Sequence, residues 1–136
     1  GVSMGSPVAA LVSHFEDVDG VEVYKPILGL NAMIYAHLDR CGPSVNDTID
    51  LLGSDTVAAM AAAVDHTGVE PTAPPHRRLI VGAWHDRMAM REPAQRLHER
   101  WRGELFWHRG GHVGHLFARG VQDASEKFLR AMTIAR

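Results

Sequence analysis

GVSMGSPVAALVSHF, residues 1–15, is the stretch on which the reading of the whole chain turns. Its first five residues fit Gly-x-Ser-x-Gly, with Ser3 between Gly1 and Gly5. Apolar residues then follow at Val8, Leu11, Val12 and Phe15, a helical spacing in which Pro7 is tolerated because the first turn needs no N–H from it. A serine between glycines just before a helix suits a sharp turn that lifts the hydroxyl clear of the backbone. Such a short pattern also arises by chance, so the remaining residues must decide whether Ser3 is chemistry or coincidence.

The bulk composition narrows the field without naming a reaction. The 136 residues suffice for one domain, and 46% hydrophobic with 22% charged residues is globular composition rather than disorder. A net charge of -2 lacks the clustered basic surface that nucleic acid would need. No apolar run approaches the ~20 residues of a membrane span. Cys41 is the single cysteine, so no internal disulfide can form, which suits a reducing, cytoplasmic setting.

Outward from residue 15, helical and strand patterns alternate. EDVDG (16–20) reads as a turn. VEVYKPILGL (21–30) reads as a strand, weakened by Pro26, which cannot donate to a ladder. NAMIYAHLDR (31–40) predicts a helix, with a short one near 45–52. A further helix runs from a cap at Ser54 or Asp55 through Val57 and Met60 to Val64, with Gly68 beyond its end. PTAPPHRR (71–78) is a connection. LIVGA (79–83) has the unbroken apolar character of a strand buried on both faces. EPAQRLHERW (92–101) predicts a helix with Pro93 near its start, GELFWH (103–108) a strand, and residues 120–134 a closing helix with Val121, Ala124, Phe128 and Met132 on one face. The alternation predicts an α/β fold with about three parallel strands flanked by helices.

Two further residues join Ser3 in a telling order. Asp86 follows the strand at 79–83, in GAWHDRMAMREP, and His112 follows the strand at 103–108, in GGHVGHLF. In an open α/β sheet, side chains just past the carboxyl ends of strands converge. A serine hydroxyl becomes a nucleophile when an imidazole takes its proton, and a carboxylate on the other ring nitrogen fixes the tautomer.

With these motifs the chain resembles the C-terminal half of an α/β-hydrolase fold enzyme, beginning at the nucleophile elbow. GVSMG matches the elbow, GAWHD followed by Pro93 the acid loop, and GGHVGHLF the histidine loop. The resemblance implies a serine esterase or lipase-like hydrolase with a catalytic triad of Ser3 as nucleophile, His112 as general base and Asp86 as its orienting acid. The Met4 amide would serve the oxyanion hole, no cofactor or metal would be needed, and the substrate would be a small acyl compound. One partial domain would span residues 1–136: elbow and helix in 1–15, a strand and helical lid region in 21–75, and the acid and histidine loops in 76–136. Ser6 stands where such enzymes often carry a glycine. The family's earlier strands and its other oxyanion donor are not in this sequence. The expectation is therefore a piece of a longer protein, inactive alone, which pairs along its open sheet edge with a missing N-terminal half, another chain or a copy of itself.

Rival readings accompany each residue. Asp86 could cap the helix near Glu92 or pair with Arg87 or Arg91. His115 and His85 compete with His112. His108, His112 and His115 with Asp86 could hold a metal ion. Trp84, Trp101 and Trp107 read as core or pocket wall, the Ala-rich helix with Met60 as packing, and Cys41 as a buried small hydrophobe. A binding protein that keeps the fold without chemistry is the alternative function.

Overall fold

A computed structural model describes residues 1–27, 29–38, 40–63 and 68–134 of the chain. Three parallel strands, β1 (Val21–Tyr24), β2 (Arg78–Ala83) and β3 (Glu104–His108), lie side by side in chain order. Val23 pairs with Ile80, and Val81 with Phe106. The helices are α1 (Gly5–Phe15), α2 (Leu30–Leu38), α3 (Asn46–Leu52), α4 (Asp55–Ala63), α5 (Arg91–Trp101) and α6 (Arg119–Ile134).

The alternation of side chains along β2 builds the layers. Ile80 faces one side, where Val21, Val23, Ala10, Ala94, Leu97 and Trp101 form a core beneath α1 and α5. Leu79 and Val81 face the other, packing with Val121 and Phe128 of α6. A strand buried on both faces has no polar side to show, which is why LIVGA carries no alternation in sequence. The result is a mixed α/β fold with a three-stranded parallel sheet flanked by helices. Among the described residues, no helix is long and apolar enough to cross a membrane.

The expected strand at 21–30 is shorter than its apolar pattern. It ends at Tyr24, because Lys25 turns the chain with φ of +47° and Pro26 has no N–H to offer. Leu28 lies outside the described residues. On its outer edge β1 is met by residues 1–3: Tyr24 N–H donates to Gly1 O and Ser3 N–H to Tyr24 O, both at 2.8 Å. This pairing sets Ser3 at the carboxyl end of β1.

Between β1 and β2 the chain makes a helical excursion of α2, α3 and α4, in which Tyr35 Oη donates to Ile49 O at 3.0 Å. Ser54 caps α4 by accepting the Val57 N–H at 3.4 Å. The expected end of this helix at Val64 lies outside the described residues, as does Asp39 beyond α2. Met60 and Cys41 are both exposed, against the expectation that they pack inside. They are apolar residues that no element among the described residues covers. Of the tryptophans, Trp101 is fully buried, whereas Trp84 is 44% exposed, packed against Trp107 and covered by the Arg91 guanidinium.

The returning segment is tied down by polar contacts. The buried Arg78 donates to the carbonyls of Ala73 (2.6 Å), Pro71 (2.9 Å) and Trp101 (2.8 Å), and Trp101 Nε1 donates to Val69 O at 2.9 Å. These bonds fasten the start of β2 to the end of α5.

Candidate active site

Ser3 sits where the residues flanking β1 turn into α1. Its φ of +50° is in the left-handed region, which costs a non-glycine residue of order 1 kcal/mol or more and persists where neighbours enforce it. Here the enforcing bonds are Ser3 N–H to Tyr24 O, Gly5 N–H to Val2 O (2.8 Å) and Ser6 N–H to Ser3 O (2.9 Å). Gly1 allows the turn to close: a Cβ there would stand 2.4 Å from Gly5 O and 2.7 Å from Ala9 Cβ. A Cβ on Gly5 would meet nothing within 4 Å, so only the first glycine of the motif is sterically required. Ser6 is accommodated, although buried, because its hydroxyl donates to Tyr24 O at 3.2 Å.

The loops after β2 and β3 bring the other two residues to this turn. Ser3 Oγ lies 2.9 Å from His112 Nε2, and His112 Nδ1 lies 2.8 Å from Asp86 Oδ2. The Asp86 side chain is completely buried. Its other oxygen, Oδ1, accepts the N–H groups of Met88 (2.8 Å) and Ala89 (2.9 Å). A buried carboxylate is tolerable only with such partners. Because Asp86 can only accept, His112 carries its proton on Nδ1 and presents a bare Nε2 to the serine hydroxyl. The Met4 N–H, the next amide after Ser3, has no acceptor among the described residues.

The rival residues lie apart from this run of bonds. Asp86 binds its own loop and His112 rather than Arg87 or Arg91. His85 is exposed. His115 Nδ1 accepts from the Lys25 ammonium. His108, at the end of β3, accepts the Gly110 N–H on Nδ1 at 3.0 Å, while its Nε2 is buried with no partner among the described residues. Among the described residues no three His, Cys, Asp or Glu side chains are grouped to hold a metal ion, so the histidine cluster with Asp86 is not assembled as a metal site.

The loop that carries His112 rests directly on the His108 ring. A Cβ on Gly110 would stand 2.7 Å from His108 Cε1, so this approach requires glycine. Burial, reinforced by the Lys25 charge, lowers the pKa of both His108 and His115 below the usual histidine value. Burial likewise lowers that of Lys25. Beside the Asp86 loop, a cavity of about 270 Å³ is lined by Pro26, Ile27, Met33, Met88 and Met90 among others.

Lys25 is the residue of this neighbourhood that the sequence does not disclose. A lysine before a proline at the end of a strand looks like a solvated turn, yet it is 2% exposed. No local pattern signals its burial, because the groups that bury it lie near residues 81 and 112.

No protein-family model matches the sequence, and no curated protein matches it. Among solved structures, the fold is similar to that of MGS-MChE2, an α/β hydrolase enzyme from the metagenome of sediments from the lagoon of Mar Chica, Morocco. The match covers 96% of this chain at 21% identity with a TM-score of 0.59, and the chain spans 60% of the length of that enzyme. The likeness establishes an α/β-hydrolase-like fold.

Proposed function

We propose that this protein is a serine hydrolase that cleaves an ester or a related acyl bond, with Ser3 as nucleophile, His112 as general base and Asp86 as its orienting acid. The reading rests on one observation, the continuous run of hydrogen bonds from Ser3 Oγ through both nitrogens of His112 to the buried Asp86 carboxylate. The likeness of the fold to that of an α/β hydrolase enzyme lends it support.

In this mechanism Ser3 Oγ attacks the substrate carbonyl carbon as its proton passes to His112 Nε2. Asp86 holds the imidazole in place and stabilises the imidazolium that forms. The carbonyl oxygen gains negative charge and accepts from the Met4 N–H, a contact strongest when that charge has developed. Collapse of the tetrahedral intermediate expels the alcohol, which takes the proton from His112, and leaves an acyl group on Ser3. Water then attacks the acyl-enzyme by the same proton path, releasing the acid and restoring Ser3. The methionine-lined cavity beside the Asp86 loop offers the apolar part of a substrate a deformable wall.

Labelling with a fluorophosphonate probe tests the assignment. Stoichiometric modification of wild-type protein, lost in Ser3→Ala, is the expected result. Absence of labelling in a complete, folded domain overturns it in favour of a non-catalytic binding role. Activity that survives in Ser3→Ala and disappears on chelation would instead indicate metal chemistry.

A further inference from the structure

The base-bearing loop, residues 109–118, is irregular as far as Val113 and then makes a 3-10 turn over Gly114–Phe117. It contains Gly110, Gly111 and Gly114, and its backbone bonds include Gly114 N–H to Gly111 O (3.0 Å), Leu116 N–H to Val113 O (3.3 Å) and Ala118 N–H to His115 O (3.4 Å). Besides Ser3 and Asp86, which bond the His112 ring, a side chain from the turn after β1 grips the loop backbone. The Lys25 ammonium donates to the His112 carbonyl and to His115 Nδ1, and stands 3.5 Å from His115 Nε2. The grip starts from a rigid point, for Lys25 N–H extends the β1–β2 ladder by donating to Val81 O at 2.6 Å, and the left-handed turn at Lys25 follows immediately. Burying an ammonium costs several kcal/mol when its donors go unmet. Here the loop meets them, so loop and lysine are ordered together.

We propose that Lys25 is a positioning residue of the site, a clamp from the end of β1 that holds the His112 loop so that the imidazole stays between Ser3 and Asp86. The clamp rests on the serine-hydrolase reading. In engaging His115 Nδ1 it also fixes that ring as the Nε2–H tautomer. The titratable groups facing Lys25 are His112 and His115 on the loop, His108 at the end of β3 and Asp86 after β2. Burial lowers the lysine pKa, so the clamp loses its charge at a pH below that of an ordinary lysine and activity declines with it on the alkaline side.

Lys25→Met and His115→Phe, made in the complete domain, test the clamp, measured beside wild type and Ser3→Ala. The readouts are kcat and KM on p-nitrophenyl acetate across pH, fluorophosphonate labelling rate, and thermal unfolding. Lys25→Met is expected to lower kcat and labelling by about 10- to 100-fold, the scale of a misplacement near 1 Å, with KM little changed. It should also lose the alkaline decline. His115→Phe, which keeps the His112 carbonyl contact, should show a smaller fall of the same kind. A purely structural role would lower the melting temperature and leave kcat and the pH profile of the folded protein as in wild type, and that result overturns the clamp. If Lys25→Met does not fold, an unchanged kcat in His115→Phe overturns it equally. A complete, folded wild-type domain that takes no label at Ser3 overturns the hydrolase reading and the clamp with it, whereas labelled wild type with unaffected variants overturns the clamp alone.

Discussion

Changing Asp86 to asparagine alters one atom of a side chain whose surroundings dictate which way the new amide must point. Oδ1 of Asp86 accepts two backbone N–H groups, from Met88 and Ala89, while Oδ2 faces His112 Nδ1. In Asp86→Asn the amide oxygen has to stay with the two backbone donors, since turning it away would set an NH₂ against two N–H groups. The NH₂ is therefore aimed at His112 Nδ1. That nitrogen must then accept, which moves the ring proton to Nε2, where it confronts the Ser3 hydroxyl. The base is lost with scarcely any change of shape. A wrong tautomer of this kind costs on the order of 10⁴-fold in kcat in a Ser-His-Asp triad, or about 5.4 kcal/mol of barrier at 1.36 kcal/mol per tenfold. The assay is steady-state hydrolysis of a p-nitrophenyl ester, with fluorophosphonate labelling rate as a second measure. Thermal unfolding should move little, since both backbone bonds survive. A fall in kcat of less than about tenfold would refute the tautomer argument.

Two other predictions concern stability. Leu97 is 1% exposed in the core between α5 and the sheet, so Leu97→Ala should cost about 2–5 kcal/mol in urea unfolding; a loss below about 1 kcal/mol would mean that α5 does not pack as described. His108 and His115 both have pKa values lowered from 6.5, chiefly by burial. Below that value the unfolded chain binds protons that the folded one resists, so their contribution is complete above about pH 6.5 and is lost as pH falls through the lowered values. The urea midpoint should therefore drop between about pH 7 and pH 5.5, and His108→Phe with His115→Phe should flatten the drop; an unchanged slope in the double variant would count against the assignment.

The parts of the fold that could be read from the chain are those whose local pattern and tertiary role coincide. Residues 79–83 are apolar throughout because β2 is covered on both faces, and the period of α6 places Val121 and Phe128 on the sheet. Misreadings arose where an apolar residue has no neighbour among the described residues to cover it, as at Met60 and Cys41, or where apolar character outlasts the ladder, as at Pro26 and Ile27. The order Ser3, Asp86, His112 was legible because each residue follows a strand or precedes a helix in a recognisable loop. Among the competing histidines, the sequence marked His112 only by its place directly after the glycine pair; that its ring, rather than that of His115 or His85, lies between Ser3 and Asp86 is a matter of spatial partners.

By itself, then, the sequence determined the alternation of helices and buried strands and the three residues that could share a proton path. Those properties reside in side-chain polarity and spacing along the chain. The tertiary structure alone decided that Ser3 and His112, 109 residues apart, stand within hydrogen-bond distance, that Gly1 rather than Gly5 relieves the turn, and that Lys25 and Arg78 carry buried charges onto backbone carbonyls. A charged side chain is drawn inside by acceptors that other segments bring to it, and acceptors of that kind leave no trace in the residues on either side of the charge.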